Sequence, residues 1–590
     1  MLPLHRLAQS QSAPTSKYEK FASWLRSRLA TRILSVALIV LFLLFWLFPP
    51  FPRYDSVPLS EIFKRPSAGA HYAQDSTEAP PSRVPAAVWH SRAQSVKESF
   101  IHAYHGYEAA AFGWDELLPV TNKSTTNFNG WGVTIVDSLS TMLLMDLKDE
   151  YTRALAHVSK IAIKIMCTGT IPFFETVIRY LGGLLSAYAL SGDAILLTKA
   201  DELAQTLLPV FDSPKGMPHF GYDPSTGFKA PSWASHALLA EMASCQLEYK
   251  YLAHLTGRAE YFQKVDRMMD LMQNSQRADG LWSTYWDITS GTQVNTHLSI
   301  GALADSGYEY LLKQYLLTGK SEKRLLDMYL KAVRGVLEKL TFLSSTRDLL
   351  YITDTKDGVP EHRLEHLSCF FGGLLALGVE TVDLPQQDAD LHRWAAEGLT
   401  TTCWMTYAET QSGLGPEEAQ FKVTFDRLHP LKWMDTVRAW ENAGREGGVP
   451  PGVKAPQLIL GESRSGHRDY YLRSPGYYLR PETVESIYIM WKVTKDEIWR
   501  ERGWGIYRAI EKHCKTEFGY GTVPSVQYKR TGIADSMPSY FLAETLKYLY
   551  LLFSEEDRVP LDKWVFNTEA HPLPVFHWKN SEKALYGIHQ

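Results

Sequence analysis

Segments in which hydrophobic residues recur every three or four positions dominate the chain beyond about residue 88. This spacing places the apolar side chains on one face of an α-helix. Strand-like alternation is minor, as in 348–356 (DLLYITDTK). The helical pattern covers 93–112, 151–165, 174–192, 194–211, 235–257, 259–275, 305–319, 322–340, 480–494, 496–514 and 539–554. The pattern therefore predicts an all-α fold with minor β-hairpins.

Many of these helices come in pairs, in which an apolar helix is followed across a Ser-Gly-Asp or Thr-Gly turn by a charged, amphipathic one. A helix that is apolar on every side is buried, whereas an amphipathic helix keeps one face in water. A roughly sevenfold repetition of such pairs is typical of the inner and outer rings of an α/α toroid. A solenoid is the alternative, but it should show an exact sequence period. Since none is evident, we expect a closed toroid in 88–590.

The N-terminal segment has a different pattern. An unbroken apolar run at 33–48, extended to residue 51, approaches the roughly 20 residues needed to cross a bilayer. Basic residues are frequent before the run and rare after it, which places 1–32 in the cytosol and the rest in the lumen. A cleaved signal peptide is the alternative, but no small-x-small cleavage site follows the run. We expect a signal anchor at 33–51 and a Pro-, Ser- and Ala-rich stem at 52–87.

The composition of the chain argues against some classes of function. The chain of 590 residues is 45% hydrophobic and 12% aromatic, with a net charge of −4 at pH 7. The nearly balanced charge argues against nucleic-acid binding and global disorder. Five cysteines fit an oxidising compartment, and Cys369 and Cys403 could pair, although sequence alone leaves the connectivity open. Asn122-Lys-Ser is the only N-glycosylation sequon, and it is used only if this segment is lumenal.

The most informative feature is a set of acids within the apolar helices. Each acid has a structural explanation by itself: Glu482 follows Pro481 in a first helical turn, where an acid stabilises the helix dipole by about 0.3–1 kcal/mol. Burying an ionised carboxylate costs several kcal/mol unless it is paired, so many acids on inner helices indicate a shared wet cavity. The set is Glu175, Glu241, Asp305, Glu309, Glu482, Glu485 and Glu544. Acids beside aromatic residues suit a carbohydrate, and glycosidic hydrolysis requires two carboxyl groups.

One short motif is typical of a different chemistry, that of zinc-dependent proteolysis. The segment His362–His366 (HRLEH) matches the H-x-x-E-H pattern of zinc proteases, in which both histidines share a helix face. No third ligand is evident, and Pro360 predicts a loop or a helix entry. The segment DTKDG at 354–358 lacks most ligands of an EF-hand and predicts a turn. Neither a Gly-rich phosphate loop nor a G-x-S-x-G elbow occurs in the sequence.

Seven stretches resemble the class I α-1,2-mannosidases, glycoside hydrolase family 47. They are WGVTIVDSLSTM, FETVIRYLGGLLSAYALSGD, ADSGYEYLLKQ, HLSCFFGGLLALG, LRPETVESIYIMWKVT, SYFLAETLKYLYLLFS and VFNTEAHP. They span about residues 88–572 in the family's order, which makes the resemblance specific. The resemblance implies an (αα)7 barrel that removes terminal α-1,2-linked mannose from high-mannose N-glycans, with inversion and bound Ca²⁺. It also implies a single-pass type II protein of the Golgi or endoplasmic reticulum membrane, with a lumenal catalytic domain.

The same resemblance implies residue roles. The catalytic carboxylates would be Glu175, Asp305 and Glu482, with Glu482 as the general base. The acid would be either Glu175, acting through a water, or Asp305. Thr568 would bind Ca²⁺ through its carbonyl and hydroxyl oxygens, with waters completing the shell. Surrounding substrate- or water-binding positions match Arg179, Glu241, Glu309, His366, Arg480, Glu485, Tyr540, Glu544 and Glu569.

Further positions bear on disulfide bonding and specificity. Cys369 and Cys403 match the family's disulfide pair. Ser140 stands where the family usually has a second aspartate, so one carboxylate is missing from that part of the cleft. Leu303 stands where members that remove one specific mannose tend to have arginine, and leucine resembles the broader, Golgi-type enzymes. The alternative function is a glycan-binding homologue that recognises misfolded glycoproteins with little hydrolysis; the three matched acids favour hydrolysis.

Overall fold

The computed structural model describes residues 84–162, 169–231, 236–423, 431–461 and 466–588. Within these ranges no helix is both long enough and apolar enough to span a membrane. The predicted cytosolic tail and signal anchor, and the stem up to residue 83, lie outside the described residues. The first described helix begins at Ala86, two residues before the predicted start of the catalytic domain at residue 88.

Seven helices with largely buried side chains form the interior of the described part of the chain. They are α2 (Val133–Leu144), α4 (Phe173–Glu175, continued by a π-helical turn Thr176–Leu181 and by Gly182–Ser191), α7 (Gln246–Thr256), α9 (Asp305–Leu317), α11 (Phe370–Thr381), α14 (Glu482–Thr494) and α16 (a π-helical turn Phe541–Thr545 with Leu546–Phe553). Each contacts the next in this order, and α16 contacts α2. The seven inner helices therefore close a ring.

Seven more helices lie outside this ring, and each packs against at least one inner helix. They are α1 (Ala86–Ala111), α3 (Lys148–Val158), α5 (Ala194–Leu207), α8 (Ala259–Ser275), α10 (Lys323–Lys339), α12 (Gln386–Ala408) and α15 (Glu497–His513). In α10 the buried positions follow a three-and-four spacing, whereas in α9 every residue from Ser306 to Leu317 is buried. The predicted pairing of apolar with amphipathic helices is therefore present.

Three other helices are α6 (Leu239–Ala243), α13 (Trp433–Asn442) and α17 (Asn580–Tyr586), and 3₁₀ turns occur at Leu208–Phe211 and His366–Cys369. Periodicity missed α2, α11, α12, α13 and α17. It also extended a helix over 236–238, which forms a strand paired with Tyr285–Asp287. This prediction was wrong because a short apolar run fits either element, and here the partner strand decides.

The strands are short and pair antiparallel. They are Glu116–Leu118, Lys123–Thr125, Ile171–Pro172, Gly221–Asp223, Phe228–Ala230, His236–Leu238, Tyr285–Asp287, Thr292–Gln293, Thr341–Leu343, Leu350–Ile352, Thr355–Lys356, Val359–Pro360, Arg363–Glu365, Glu418–Phe421, Tyr470–Ser474, Trp564–Phe566 and Pro572–Pro574. The prediction of minor hairpins around a helical core is confirmed. Asn122 is exposed in the turn of the first hairpin, where its glycosylation stays a prediction.

A disulfide joins Cys369 to Cys403, with their Cα atoms 5.9 Å apart. Cys369 ends the 3₁₀ turn before α11, and Cys403 lies in α12. The predicted pairing is confirmed. The bond links an inner helix to its outer partner, next to His366.

Replacing both disulfide cysteines by alanine should lower the free energy of unfolding. The bond spans 34 positions, and closing a loop of this length in the unfolded chain stabilises the fold by about 3–4 kcal/mol in the chain-entropy model. Urea denaturation of both proteins checks the difference. Wild-type protein under reducing conditions should approach the variant, and equal stability of all samples would contradict the prediction.

Candidate active site

The three predicted catalytic carboxylates lie in the first turns of inner helices: Glu175 in α4, Asp305 in α9 and Glu482 in α14. An outer helix separates successive inner helices along the chain, so the inner helices run in the same direction. Their N-terminal ends therefore meet at one end of the ring. Asp305 and Glu482 are close enough for the charge of Glu482 to raise the pKa of Asp305.

Glu482 is held by His366. Oε2 of Glu482 is 2.7 Å from Nδ1 of His366, whose Nε2 is 2.5 Å from the Tyr407 hydroxyl. Burial acts to raise the pKa of Glu482, but the hydrogen bond and attraction of His366 and the charge of Arg480 outweigh it. The pKa of Glu482 is consequently lowered, and its carboxylate form is favoured.

Arg480 has a partner that the sequence did not indicate. Its guanidinium binds Glu417 at 2.7 Å through Nε and at 2.6 Å through Nη2, whereas Glu482 is 4.0 Å from Nη1. Glu417 lies just before the strand Glu418–Phe421, outside the helical pattern by which the acids were recognised. The Arg480–Glu417 pair fixes the arginine in a bidentate geometry beside Glu482.

Asp305 has the opposite electrostatic environment. Burial raises the pKa of Asp305, and the charges of Glu309, Glu482 and Glu365 raise it further. The hydrogen bond that the Ser306 N–H donates to Oδ1, at 2.9 Å, acts to lower it. The net result is that the pKa of Asp305 is raised to about 7. Asp305 therefore retains its proton up to near-neutral pH, beside a glutamate that does not.

Glu175 is paired with Arg179 of the same helix at 2.8 Å. Arg179 also binds Glu569 and lies over the rings of Phe128, at 5.2 Å, and Tyr540, at 5.6 Å. The Tyr540 hydroxyl donates to the Tyr478 carbonyl at 2.7 Å. The structure thus places three predicted substrate-binding residues, Arg179, Tyr540 and Glu569, in one group with Glu175.

Of the remaining predicted acids, Glu309, Glu544 and Glu569 are buried, Glu485 lies one turn after Glu482 in α14, and half-buried Glu241 lies in α6. Lys313 binds Glu309 and is 3.9 Å from Glu485. Burial raises the pKa of Glu485 to about 8, with Glu309 and Glu482 contributing and Lys313 opposing. Burial also raises the pKa values of Glu544 and Glu569 well above the ordinary glutamate value, and repulsion by neighbouring carboxylates adds to the effect, while Arg179 opposes it. The interior thus holds more carboxylates than its cations balance.

Thr568 lies in a tight turn beside these acids, and Asn567 organises that turn. Oδ1 of Asn567 accepts the N–H groups of Glu569 at 2.9 Å and His571 at 2.8 Å, and its Nδ2 donates to Glu248 at 2.7 Å. Because both polar atoms of the Asn567 side chain form hydrogen bonds, this side chain fixes the turn that contains Thr568. Within the described ranges, no three His, Cys, Asp or Glu side chains are arranged to bind a metal directly.

Ser140 and the HRLEH motif have structural roles. Ser140 is fully buried, and its Oγ is 3.1 Å from Nδ1 of His571. His571 is in turn 3.1 Å from Asp137, which is 3.6 Å from Arg179, so Ser140 is linked to a predicted site residue through two others. In HRLEH, Arg363–Glu365 is a strand, so the helix on which a zinc-protease site would place both histidines is not formed. The two histidines have different partners: His362 binds Tyr351 at 2.6 Å, and His366 binds Glu482.

Comparisons with known proteins identify the family of this arrangement. The family model for glycosyl hydrolase family 47 matches residues 99–575. Human mannosyl-oligosaccharide 1,2-alpha-mannosidase IC is 36% identical over 521 residues, 87% of this chain and 75% of that protein. The mouse endoplasmic reticulum mannosyl-oligosaccharide 1,2-alpha-mannosidase is 36% identical over 495 residues, 82% of this chain and 68% of that protein.

A solved structure of an alpha-1,2-mannosidase has a similar fold. The alpha-1,2-mannosidase from Trichoderma reesei superposes with a TM-score of 0.72 at 30% sequence identity. The superposition covers 82% of this chain and 99% of that chain.

Proposed function

The chain belongs to glycosyl hydrolase family 47, and we propose that it is a mannosyl-oligosaccharide 1,2-α-mannosidase that removes terminal α-1,2-linked mannose from high-mannose N-glycans with inversion. The names of the relatives support the substrate. The observation that carries the mechanism is the opposite electrostatic environment of Glu482 and Asp305. Two carboxyl groups with pKa values pushed apart are suited to one base and one acid.

In this mechanism Glu482 is the general base and Asp305 the general acid. Glu482 accepts a proton from a water, whose oxygen bonds to the anomeric carbon on the face opposite the glycosidic bond. Asp305 donates its proton to the glycosidic oxygen as that bond breaks, so the configuration is inverted. Glu175, whose carboxylate is paired with Arg179, is assigned to substrate positioning.

The end of the ring at which the N-termini of the inner helices meet also provides a binding surface for a sugar. Arg179, with the rings of Phe128 and Tyr540, offers a charged group beside aromatic faces. Arg480 offers further donors beside Glu482. The other predicted acids, Glu309, Glu485, Glu544 and Glu569, together with Glu241 and His366, are assigned to sugar hydroxyls and ordered waters, as the resemblance implies.

The residues around Thr568 fit a calcium ion. The interior carries an excess of carboxylates, whose raised pKa values reflect burial and mutual repulsion, and a divalent cation would relieve this repulsion. Ca²⁺ binds oxygen ligands. The Thr568 carbonyl and hydroxyl would hold the ion, and the carboxylates would contact it through waters. When bound, the ion would supply positive charge for orienting sugar hydroxyls.

Removal of calcium should destabilise the protein and abolish mannose release. An ion that binds only the folded state at about 100 times its Kd adds about 2.7 kcal/mol of stability. Thermal melting of chelator-treated protein, with Ca²⁺ or Mg²⁺ restored, measures the effect. Ca²⁺ should raise the melting temperature, and Thr568→Ala should abolish that increase. An unchanged melting temperature on adding Ca²⁺ would contradict the metal assignment.

The test of the function is incubation of the purified full-length protein with a high-mannose N-glycan in the presence of Ca²⁺. We expect free mannose and a series of trimmed isomers, and nuclear magnetic resonance of the first product should show the β-anomer. Binding of the glycan without mannose release would instead support the glycan-recognition alternative. Release of the α-anomer would contradict inversion.

We also propose the location. The N-terminal apolar run predicts a type II membrane protein, and the name of a relative places that relative in the endoplasmic reticulum. The disulfide and the exposed Asn122 sequon agree with a lumenal catalytic domain. Residence in the Golgi or the endoplasmic reticulum membrane therefore remains our proposal for the chain.

A further inference from the structure

The turn that precedes α9 is tied to two predicted site residues. Asp305 begins α9, and its backbone N–H donates to the Gly301 carbonyl at 3.0 Å. The Leu303 carbonyl accepts the N–H of Ala240, the neighbour of Glu241, at 3.0 Å. Leu303 has a φ of 77°, in the left-handed region that residues with a Cβ rarely adopt. Surrounding contacts must therefore hold the turn in this conformation.

Glu365 provides such a contact from the strand Arg363–Glu365. Its Oε2 accepts the Ala302 N–H at 2.8 Å, and its Oε1 lies 2.8 Å from Nη2 of Arg363. Arg363 also binds Asp354 at 2.7 Å, and Asp354 accepts a hydrogen bond from Ser299 at 2.8 Å. The chain before the turn and the turn itself are thus attached to one charged network.

Gly301 makes room for the Glu365 carboxylate. A Cβ on residue 301 would lie 2.2 Å from Oε2 of Glu365 and 2.9 Å from Oγ of Ser368. Gly301 does not have a positive φ, so its backbone conformation is accessible to alanine. A side chain at residue 301 would therefore displace the Glu365 carboxylate without requiring a different backbone conformation.

We propose that Glu365 is a positioning residue, which binds the Ala302 N–H, fixes the left-handed Leu303 turn and thereby directs Asp305 toward the glycosidic oxygen. This proposal rests on the proposed function, in which Asp305 is the acid. Glu365 acts through the turn, and contact with the sugar is not required. Since a reacting group displaced by about 1 Å can cost about 100-fold in rate, the contact matters for turnover.

The first experiment compares Glu365→Ala and Glu365→Gln with Glu361→Gln. Both glutamates face Arg363, with Glu361 at 3.4 Å, but of the two only Glu365 binds the turn. We expect Glu365→Ala, which removes the acceptor of the Ala302 N–H, to lower kcat about 10- to 100-fold with a smaller change in KM. Glu365→Gln, whose amide oxygen can still accept that N–H, should lose less kcat but still lacks the charge. Because the charge of Glu365 raises the pKa of Asp305, alongside those of Glu309 and Glu482, the alkaline limb of the rate profile should also shift to lower pH. Glu361→Gln should retain near-wild-type kinetics.

The second experiment uses the close approach at Gly301. Gly301→Ala should reproduce the kcat loss of Glu365→Ala, and the double variant should lose no more than either single variant. Two changes that act through one contact are non-additive. Losses that multiply in the double variant would overturn the shared contact.

A third measurement does not depend on catalysis. Hydrogen exchange of a peptide covering 299–304 should be faster in Glu365→Ala than in wild type and unchanged in Glu361→Gln, since the Ala302 N–H loses its acceptor. If wild-type protein releases no mannose, the proposed function fails while the exchange result still tests the contact. Unchanged exchange, or an unmoved alkaline limb in an active Glu365→Gln enzyme, would overturn the positioning role.

Discussion

Glu482→Gln is expected to lower kcat on a high-mannose glycan by about 10²- to 10⁴-fold, the usual contribution of a general base. Glutamine has nearly the same shape and still accepts a hydrogen bond from His366, but it cannot take a proton from water. The free-enzyme pH profile of the wild type should have an acid limb below the ordinary glutamate pKa, because the pKa of Glu482 is lowered.

Two controls separate this chemical role from a structural one. Glu482→Gln should melt close to the wild-type temperature, and a collapsed melting transition would show instead that the acid mainly stabilises the start of α14. In Glu482→Ala, added azide should restore release of the sugar as mannosyl azide, since azide attacks without a base. Absence of this rescue in a folded variant would contradict the base assignment.

Asp305→Asn is expected to cause the second large loss, again about 10²- to 10⁴-fold in kcat on the glycan. Wild-type activity should fall as the pH rises through about 7, because Asp305, with its pKa raised to about 7, then loses the proton that it must donate. The variant should lack this alkaline limb. Its loss should be much smaller on α-mannosyl fluoride, because fluoride leaves with little help from an acid.

Glu175→Gln tests the alternative in which Glu175, and not Asp305, is the general acid. As a residue paired with Arg179, Glu175 should affect KM more than kcat, and its loss should be similar for the glycan and the fluoride. If instead Glu175→Gln removes the alkaline limb and shows the dependence on the leaving group, the acid is Glu175, acting through a water, and the assignment of Asp305 is wrong.

The acids on the inner helices could be predicted because each interrupts an apolar helical pattern. Glu417 and Glu365 could not, because they lie before a strand and at the end of one, where acids are ordinary. Their importance comes from partners distant in the chain: Glu417 binds Arg480, 63 positions away, and Glu365 binds the Ala302 N–H, 63 positions away. No local pattern records such a pairing.

Glu482 and Glu485 show the same limit within one helix. Both were recognised as acids on one face of α14, yet the pKa of Glu482 is lowered and that of Glu485 is raised to about 8. Burial acts to raise both pKa values, but His366 and Arg480 stabilise the charge of Glu482, whereas Glu309 and Glu482 repel that of Glu485. Sequence spacing places two acids together, but their neighbours from other elements set their protonation.

The sequence by itself determined the helical class, the pairing of buried with amphipathic helices and the positions of the acids, because these follow from local periodicity. The disulfide pair followed only from the resemblance to the family. Tertiary structure alone decided which acid keeps its proton, which arginine is held by Glu417 and how the Leu303 turn is supported. Protonation and orientation depend on burial and on charges a few ångströms away, and ring closure brings those charges together from distant parts of the chain.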